Sequence, residues 1–125
     1  MNLDDGSALT AFRMRRADGS VLHAGGSHRR RGEPVRNFGS DEVGFMPGRV
    51  WQSAASRARY PVQWQVQTPA GRFTVEALLD DQELDSRAST GAIYWEGLAE
   101  LRDASGQRIG RGYLEMTGYA AALRF

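Results

Sequence analysis

The stretch AIYWEGLAELRDASGQRIGRGYLEMTGY, residues 92–119, alternates apolar and polar side chains on both sides of a turn at Ser105-Gly106. Two alternating runs joined by a glycine turn predict a β-hairpin. A two-residue loop opposes Trp95 to Met116, and one face then carries only apolar residues or glycine. A one-residue slip would set apolar against charged positions, so the hydrophobic pattern favours this register.

The second face of the predicted hairpin is mixed and sets Glu96 directly opposite Glu115. Adjacent like charges favour protonation of one carboxyl group, so the pair is a candidate general acid beside a carboxylate. Tyr94, Leu98 and Tyr113 share this face and are unusual on a solvated surface. Alternatively, both carboxylates point to solvent at little energetic cost. The choice depends on which face is interior, and the sequence leaves this open.

Three glycines lie within the strands of this hairpin, where glycine normally weakens a sheet. Gly97, Gly110 and Gly112 all fall on its apolar face. They indicate a tight bend of the sheet, the close approach of another element, or space for a ligand.

The rest of the chain also predicts short strands joined by turns that contain glycine or proline. Hairpins are expected around residues 17–19 and 68–71, and shorter strands at residues 43–46 and 50–56. Almost nothing has the spacing of an amphipathic helix. We therefore predict an all-β, antiparallel sandwich or barrel of about eight to ten short strands with little helix. The polar residues 80–91 are expected to form a solvated connection, or a functional loop or lid.

Composition indicates one globular domain over residues 1–125, with 41% hydrophobic and 25% charged residues. No apolar run approaches the ~20 residues of a membrane span, and no signal peptide is recognised. The chain has no cysteine, which excludes disulfides and thiolate chemistry. Its 16 basic residues, all arginine, balance 15 acidic ones and are spread along the chain, so we expect no nucleic-acid partner.

The sequence shows no strong metal or cofactor motif. His23 and His28 fall on opposite faces of one predicted strand, and the acids at residues 81–85 lack the glycine of a calcium loop. There is no nucleophile elbow or dinucleotide fingerprint. We therefore expect neither a metal nor a cofactor. The larger aromatic residues are expected in the core, where they could also line an apolar ligand cavity: Phe12, Trp51, Tyr60, Trp64, Phe73 and Trp95.

Several motifs in combination resemble the AttH-like and carotenoid 1,2-hydratase-like proteins. They are WQS at residues 51–53, ARYPVQW at 58–64, LDDQEL at 79–84, YWEG at 94–97 and GRGYLEMTGY at 110–119. The resemblance spans nearly the whole chain. It implies a lipocalin-like (calycin-like) antiparallel β-barrel, equivalent to the C-terminal half of a two-barrel protein, and an exported or periplasmic bacterial location.

The resemblance also implies an apolar small molecule as ligand or substrate. The first expectation is a domain that binds a lipid or isoprenoid-like compound in or beside its barrel. The candidate ligand-binding residues are Trp95, Tyr94, Leu98, Trp64 and Phe73.

The second expectation is a hydratase- or hydrolase-type enzyme domain acting on an isoprenoid or other lipid. Protonation of an alkene requires an acid, and by resemblance Glu115 and Tyr113 fall where the hydratase branch carries an acid and an aromatic residue. Glu96 would be the partner of Glu115, while Ile93 stands where that branch would carry a histidine. The third expectation is a structural half that packs against an N-terminal sister barrel or forms a homodimer.

Overall fold

Alternation of apolar and polar residues gives twelve β-strands in the computed structural model, which describes residues 1–121. The strands are β1 (Asn2–Leu3), β2 (Ala8–Arg15), β3 (Val21–Arg29), β4 (Arg36–Phe38), β5 (Gly44–Pro47), β6 (Val50–Gln52), β7 (Arg59–Pro61), β8 (Gln63–Thr68), β9 (Gly71–Ala77), β10 (Glu83–Ser86), β11 (Ala92–Arg102) and β12 (Arg108–Met116). One turn of 3₁₀-helix, Ser40–Glu42, is the single helical element of the described residues. The prediction of an all-β fold with little helix is confirmed.

Ten of the strands form one antiparallel sheet in the order β4-β3-β2-β1-β12-β11-β9-β8-β5, with β10 paired to β11. The short strand β1 pairs with β2 on one side and β12 on the other. Strands β6 and β7 form a separate two-stranded sheet. The hairpins predicted around residues 17–19 and 68–71 are confirmed as β2–β3 and β8–β9. The edge strands β4 and β5 do not pair with each other, so the closed barrel stays a prediction.

The sheet nevertheless curls around one core. Leu9 on β2 and Val66 on β8 lie far apart in the strand order, yet both belong to the same buried cluster. Arg13 on β2 donates a hydrogen bond of 3.3 Å from Nη1 to the carbonyl oxygen of Phe45 on the edge strand β5. These contacts give the sheet an inner face, which is filled by the core, and an outer face.

The core consists of apolar side chains from the inner face and from the β6–β7 region. Trp95 and Tyr60 are fully buried in it. The remaining buried members are Leu9, Phe38, Ala58, Val62, Trp64, Val66, Phe73, Val75, Ala77, Ala99, Leu101 and Met116. Leu79 follows the end of β9 at Ala77 and is 63% exposed. Phe12 was expected in the core and is 40% exposed on the outer face.

The β11–β12 hairpin has the predicted register from Trp95 opposite Met116 to Leu101 opposite Gly110. The predicted turn was one residue too short: Asp103 N–H donates to the carbonyl oxygen of Gln107 at 2.9 Å, which leaves residues 104–106 in the loop. Next to the loop, a β-bulge after Leu101 shifts the pairing by one residue. The bulge compensates for the longer loop, so the register of the long strands is unchanged.

Part of the segment predicted as a solvated connection forms β10. Its four residues pair with β11 from Glu83 opposite Trp95 to Ser86 opposite Ala92. Strand β9 pairs with residues 99–102 along the same edge of β11. Two strands therefore share one edge of β11, and the chain crosses from one to the other through residues 78–82.

Candidate functional site

The predicted glutamate pair is formed, and it lies on the outer face of the sheet. Glu96 is directly opposite Glu115. The inner face is identified by Trp95 and Ala99, which are both 0% exposed, whereas Glu115 is exposed. On this face Glu96 is half-buried and Glu115 is exposed. The assignment of Glu115, Glu96 and Tyr113 as catalytic therefore stays a prediction.

Beside this pair lies an apolar strip of the outer face, which we call the outer strip: the half-buried Tyr94 and the exposed Leu98 and Tyr113. Leu98 is 52% exposed and stands opposite Tyr113, which is 69% exposed. Tyr94 pairs across to Leu84 on β10, which is also exposed. Two of the predicted ligand-binding residues, Tyr94 and Leu98, therefore lie on the outside of the sheet.

The other three predicted ligand-binding residues lie inward and are packed. Trp95 is fully buried, and its Nε1 donates a hydrogen bond of 2.7 Å to the carbonyl oxygen of Asp80. Phe73 and Trp64 are also buried core residues. The predicted site residues thus fall into two sets on opposite faces of the sheet, and the structure does not bring them together.

The three strand glycines are explained by the close approach of other parts of the chain. A Cβ atom at Gly97 would lie 2.1 Å from Cδ of Gln82, and one at Gly110 or Gly112 would lie 2.6 Å from an atom of residues 1–3. Real Cβ atoms essentially never come within 3.0 Å of such atoms. Of the three explanations offered by the sequence, close approach is the one confirmed, since the space is already occupied.

A polar cluster that sequence reasoning missed joins β10 to the β6–β7 region, and we call it the Glu83 cluster. The carboxylate of Glu83 accepts hydrogen bonds from three hydroxyl groups: Ser53 Oγ at 2.7 Å, Ser56 Oγ at 2.6 Å and the Tyr60 hydroxyl at 2.7 Å. Ser53 and Tyr60 are buried. The carboxylate therefore holds the two-stranded sheet against the main sheet.

The electrostatics of the Glu83 cluster favour an anion rather than a proton donor. Burial alone would raise the pKa of Glu83, but the three hydroxyl donors together hold that pKa below its ordinary value. Burial, and then the bond to Glu83, raise the pKa of Tyr60 well above its ordinary value. Three of the motifs behind the family resemblance, at residues 51–53, 58–64 and 79–84, contain Ser53, Tyr60 and Glu83, and Ser56 lies between the first two. Glu83 is 23 to 30 positions from its three partners, a separation that leaves no periodic signal.

We expect the variant Glu83→Gln to remove an acid-sensitive part of the stability. Since folding lowers the pKa of Glu83, its contribution is fully present above the unfolded value of 4.5 and is lost as the pH falls through the lower folded value. At neutral pH the variant should lose about 1.5–3 kcal/mol of unfolding free energy, the usual range for hydrogen bonds to a charged group. Thermal unfolding between about pH 7 and pH 3 measures both effects, and the difference from the unmodified protein should narrow in acid.

The control for this experiment is Glu115→Gln, because Glu115 is exposed on the outer face. That variant should retain the acid-dependent loss attributed to Glu83. A constant difference between Glu83→Gln and the unmodified protein over the whole pH range would show that the Glu83 carboxylate charge contributes nothing to folding.

A second cluster lies on the inner face near the edge strand β5, and we call it the Arg13 cluster: Arg13, Phe45 and Trp64. The guanidinium carbon of Arg13 lies 5.3 Å from the centroid of the Phe45 ring and 5.7 Å from that of Trp64, within the range of cation–π attraction. The two rings meet edge to face at 6.4 Å. Nε1 of Trp64 is buried and has no hydrogen-bond partner within residues 1–121, which ordinarily costs about 1–3 kcal/mol.

The described residues show neither a metal cluster nor a membrane-spanning helix. No three side chains among the histidines, aspartates and glutamates of residues 1–121 are grouped to hold a metal ion. No helix in this part of the chain is long and apolar enough to cross a membrane.

Comparisons with known proteins agree on the fold of this chain. A family model described as AttH-like matches residues 1–119. The crystal structure of a provisionally named AttH from Nitrosomonas europaea is 49% identical with a TM-score of 0.88, over 94% of this chain and 37% of that protein. Kievitone hydratase from Nectria haematococca is 20% identical with a TM-score of 0.67, over 92% of this chain and 36% of that protein, which shows the fold alone. No curated protein matches the sequence. The chain thus spans little more than a third of either relative.

Proposed function

This chain belongs to the AttH-like family, and on that premise we propose that it is a lipocalin-like domain that binds an apolar small molecule beside Phe45 and Trp64. The observation that carries the proposal is the unpartnered, buried indole N–H of Trp64 beside an aromatic wall. Small-molecule sites are mostly apolar, with a few polar groups that fix the orientation of the ligand. The Arg13 cluster has this composition.

The topology of the sheet favours ligand entry at this place. Phe45 lies on the edge strand β5, which pairs with β8 on one side. Its other edge is not sealed by β4. A ligand that enters beside the free edge of β5 therefore breaks no backbone hydrogen bonds between strands. Phe45 and Trp64 belong to the same core as Trp95 and Phe73, but they lie at its margin, on the edge strand β5 and its neighbour β8.

A titration with dodecanol, followed by ¹H–¹⁵N NMR, tests this proposal. The indole signal of Trp64 is identified from its loss in Trp64→Phe, and we expect dodecanol to shift it. The indole of Trp95 is the internal control, because its N–H is bound to Asp80 and should move little. Shifts confined to the backbone signals of Leu98 and Tyr113, or no shift at all, would contradict binding at the Arg13 cluster.

We propose as a second candidate that the outer strip packs against another part of a longer AttH-like protein. The specific observation is the exposure of Leu98 and Tyr113 directly opposite each other. The relative from Nitrosomonas europaea extends well beyond the region matched by this chain, so a longer protein of this family would have residues to cover the strip. A second copy of the chain is the alternative occupant.

Catalysis by the glutamate pair depends on this second candidate. Glu96 and Glu115 lie on the same outer face as Leu98 and Tyr113. A domain that covered the strip would also remove the pair from water, which is the condition for a carboxyl group to act as a general acid near neutral pH. The hydratase-type function and the exported or periplasmic location remain proposals that rest on the family resemblance.

A further inference from the structure

We propose that Arg13 and Arg15 form an anion-binding end to the Arg13 cluster, so that its ligand is an amphipathic carboxylate rather than a neutral apolar molecule. This inference rests on the proposed function and narrows the class of ligand. The two arginines lie two residues apart on β2, in the same alternation as Leu9 and Ala11; Arg13 is half-buried and Arg15 is exposed at the end of the strand.

Arg13 differs from the other half-buried arginine of the described residues. Arg102 is half-buried and forms an ion pair with Glu100. Arg13 is also half-buried, but no carboxylate lies within 4.0 Å of its guanidinium in residues 1–121. Burial lowers the pKa of Arg13, and the positive charge of Arg15 lowers it further. The structure therefore contains a partly desolvated cation without a counter-ion, and buried charges are normally paired.

Arg15 places a second positive charge at the same end of the inner face. Its guanidinium carbon lies 5.4 Å from the centroid of the Tyr119 ring, a cation–π contact that holds the charged group against the protein, although Arg15 as a residue is exposed. An anion between the two guanidinium groups would relieve their mutual repulsion. An acidic group on the ligand would supply that charge.

The donors needed to bind a carboxylate are present. A guanidinium group carries five N–H donors in a planar fork that matches a carboxylate. Arg13 uses Nη1 in a bond of 3.3 Å to the carbonyl oxygen of Phe45, which orients the group and leaves its other donors for a ligand. The carboxylate would lie at the guanidinium groups and the apolar body along Phe45 and Trp64, whose free Nε1 offers a further donor.

A comparison of dodecanoate with dodecanol tests the anion-binding end, because the two probes share the chain and differ in charge. Isothermal titration at neutral pH, below the micelle concentration, should show dodecanoate binding about tenfold tighter or more, as expected for charge-assisted hydrogen bonds. The preference should fall about tenfold in Arg13→Met, which keeps an apolar stem without the charge. Arg13→Lys should retain part of the preference for dodecanoate, because lysine keeps the positive charge but lacks the planar array of guanidinium N–H donors.

Arg36→Met is the matched control. Arg36 also lies over an aromatic ring, with its guanidinium carbon 5.8 Å from the centroid of Phe38, but it is on β4 and opposite His28 rather than at the Arg13 cluster. This variant should keep the preference for dodecanoate. The dispersion of the NMR spectrum verifies that each variant is folded.

The outcomes separate this inference from the proposed function. If dodecanol binds as tightly as dodecanoate, or if Arg13→Met and Arg15→Met keep the preference for the anion, the anion-binding end is wrong while apolar binding stands. If neither probe binds, both are wrong. Loss of the preference in Arg36→Met alone would also overturn the assignment to Arg13 and Arg15.

Discussion

Replacing Trp95 by alanine should lower the free energy of unfolding by about 3–5 kcal/mol, the range for removal of a large buried aromatic side chain. Trp95 has no exposed surface and lies on β11, which is paired on both sides within the sheet, so its loss leaves a cavity in the core. The variant also leaves the carbonyl oxygen of Asp80 without the hydrogen bond that Nε1 of Trp95 donates to it. Urea denaturation followed by circular dichroism measures this change.

Two further variants show which part of the effect belongs to packing. Trp95→Phe keeps most of the buried apolar area and loses the hydrogen bond to Asp80, so it should cost about 1–3 kcal/mol. Trp51→Ala removes a half-buried tryptophan that stacks on Tyr60 at 6.1 Å and should cost less than Trp95→Ala. If Trp95→Ala and Trp51→Ala lowered the unfolding free energy by the same small amount, Trp95 would not be the centre of the core.

The variant Gly97→Ala should destabilise the protein by about 2–3 kcal/mol, because its Cβ would displace the amide of Gln82. That amide donates to the carbonyl oxygens of Leu79 at 2.8 Å and Leu98 at 3.0 Å, and accepts from the Leu98 N–H at 2.9 Å. Each bond contributes about 0.5–1.5 kcal/mol. Chemical denaturation of the variant and the unmodified protein gives the difference.

A double-mutant cycle makes this prediction specific. Gln82→Ala alone should cost about as much as Gly97→Ala, since both remove the same hydrogen bonds. In the double variant the second substitution should add almost nothing, which gives a large coupling energy. Gly44→Ala is the matched control, because a Cβ at this strand glycine meets only Cβ of Gln67 at 3.8 Å. If the losses of unfolding free energy in Gly97→Ala and Gln82→Ala simply added in the double variant, the contact between Gly97 and the Gln82 amide would be refuted.

Local patterns were sufficient to predict the β11–β12 hairpin. The alternation of apolar residues specified its register, because each slip would have moved apolar residues to the wrong face. The turn was less predictable: a loop one residue longer together with the bulge after Leu101 gives the same register as the shorter loop. Strand β10 was missed because its sequence, ELDS, is short and polar.

Contacts between distant residues explain what the sequence could not provide. The glycine pattern marked Gly97, Gly110 and Gly112 as unusual, but only the folded chain identifies Gln82 and residues 1–3 as their neighbours. The inner and outer faces of the hairpin depend on the curl of the whole sheet. For the same reason, the Glu83 and Arg13 clusters assemble residues from separate hairpins and leave no local signature.

The position of β1 has a consequence for the order in which we expect the sheet to form. The hairpins β2–β3, β8–β9 and β11–β12 each close a short loop, which has a small entropic cost. In contrast, β1 joins the two halves of the sheet by pairing Asn2 with Arg111 and Leu3 with Gly110. That pairing requires contact across almost the whole sequence, which makes it intrinsically slow. The glycines at 110 and 112 leave room for residues 1–3, and we expect the docking of this short segment to be a late step in the assembly of the sheet.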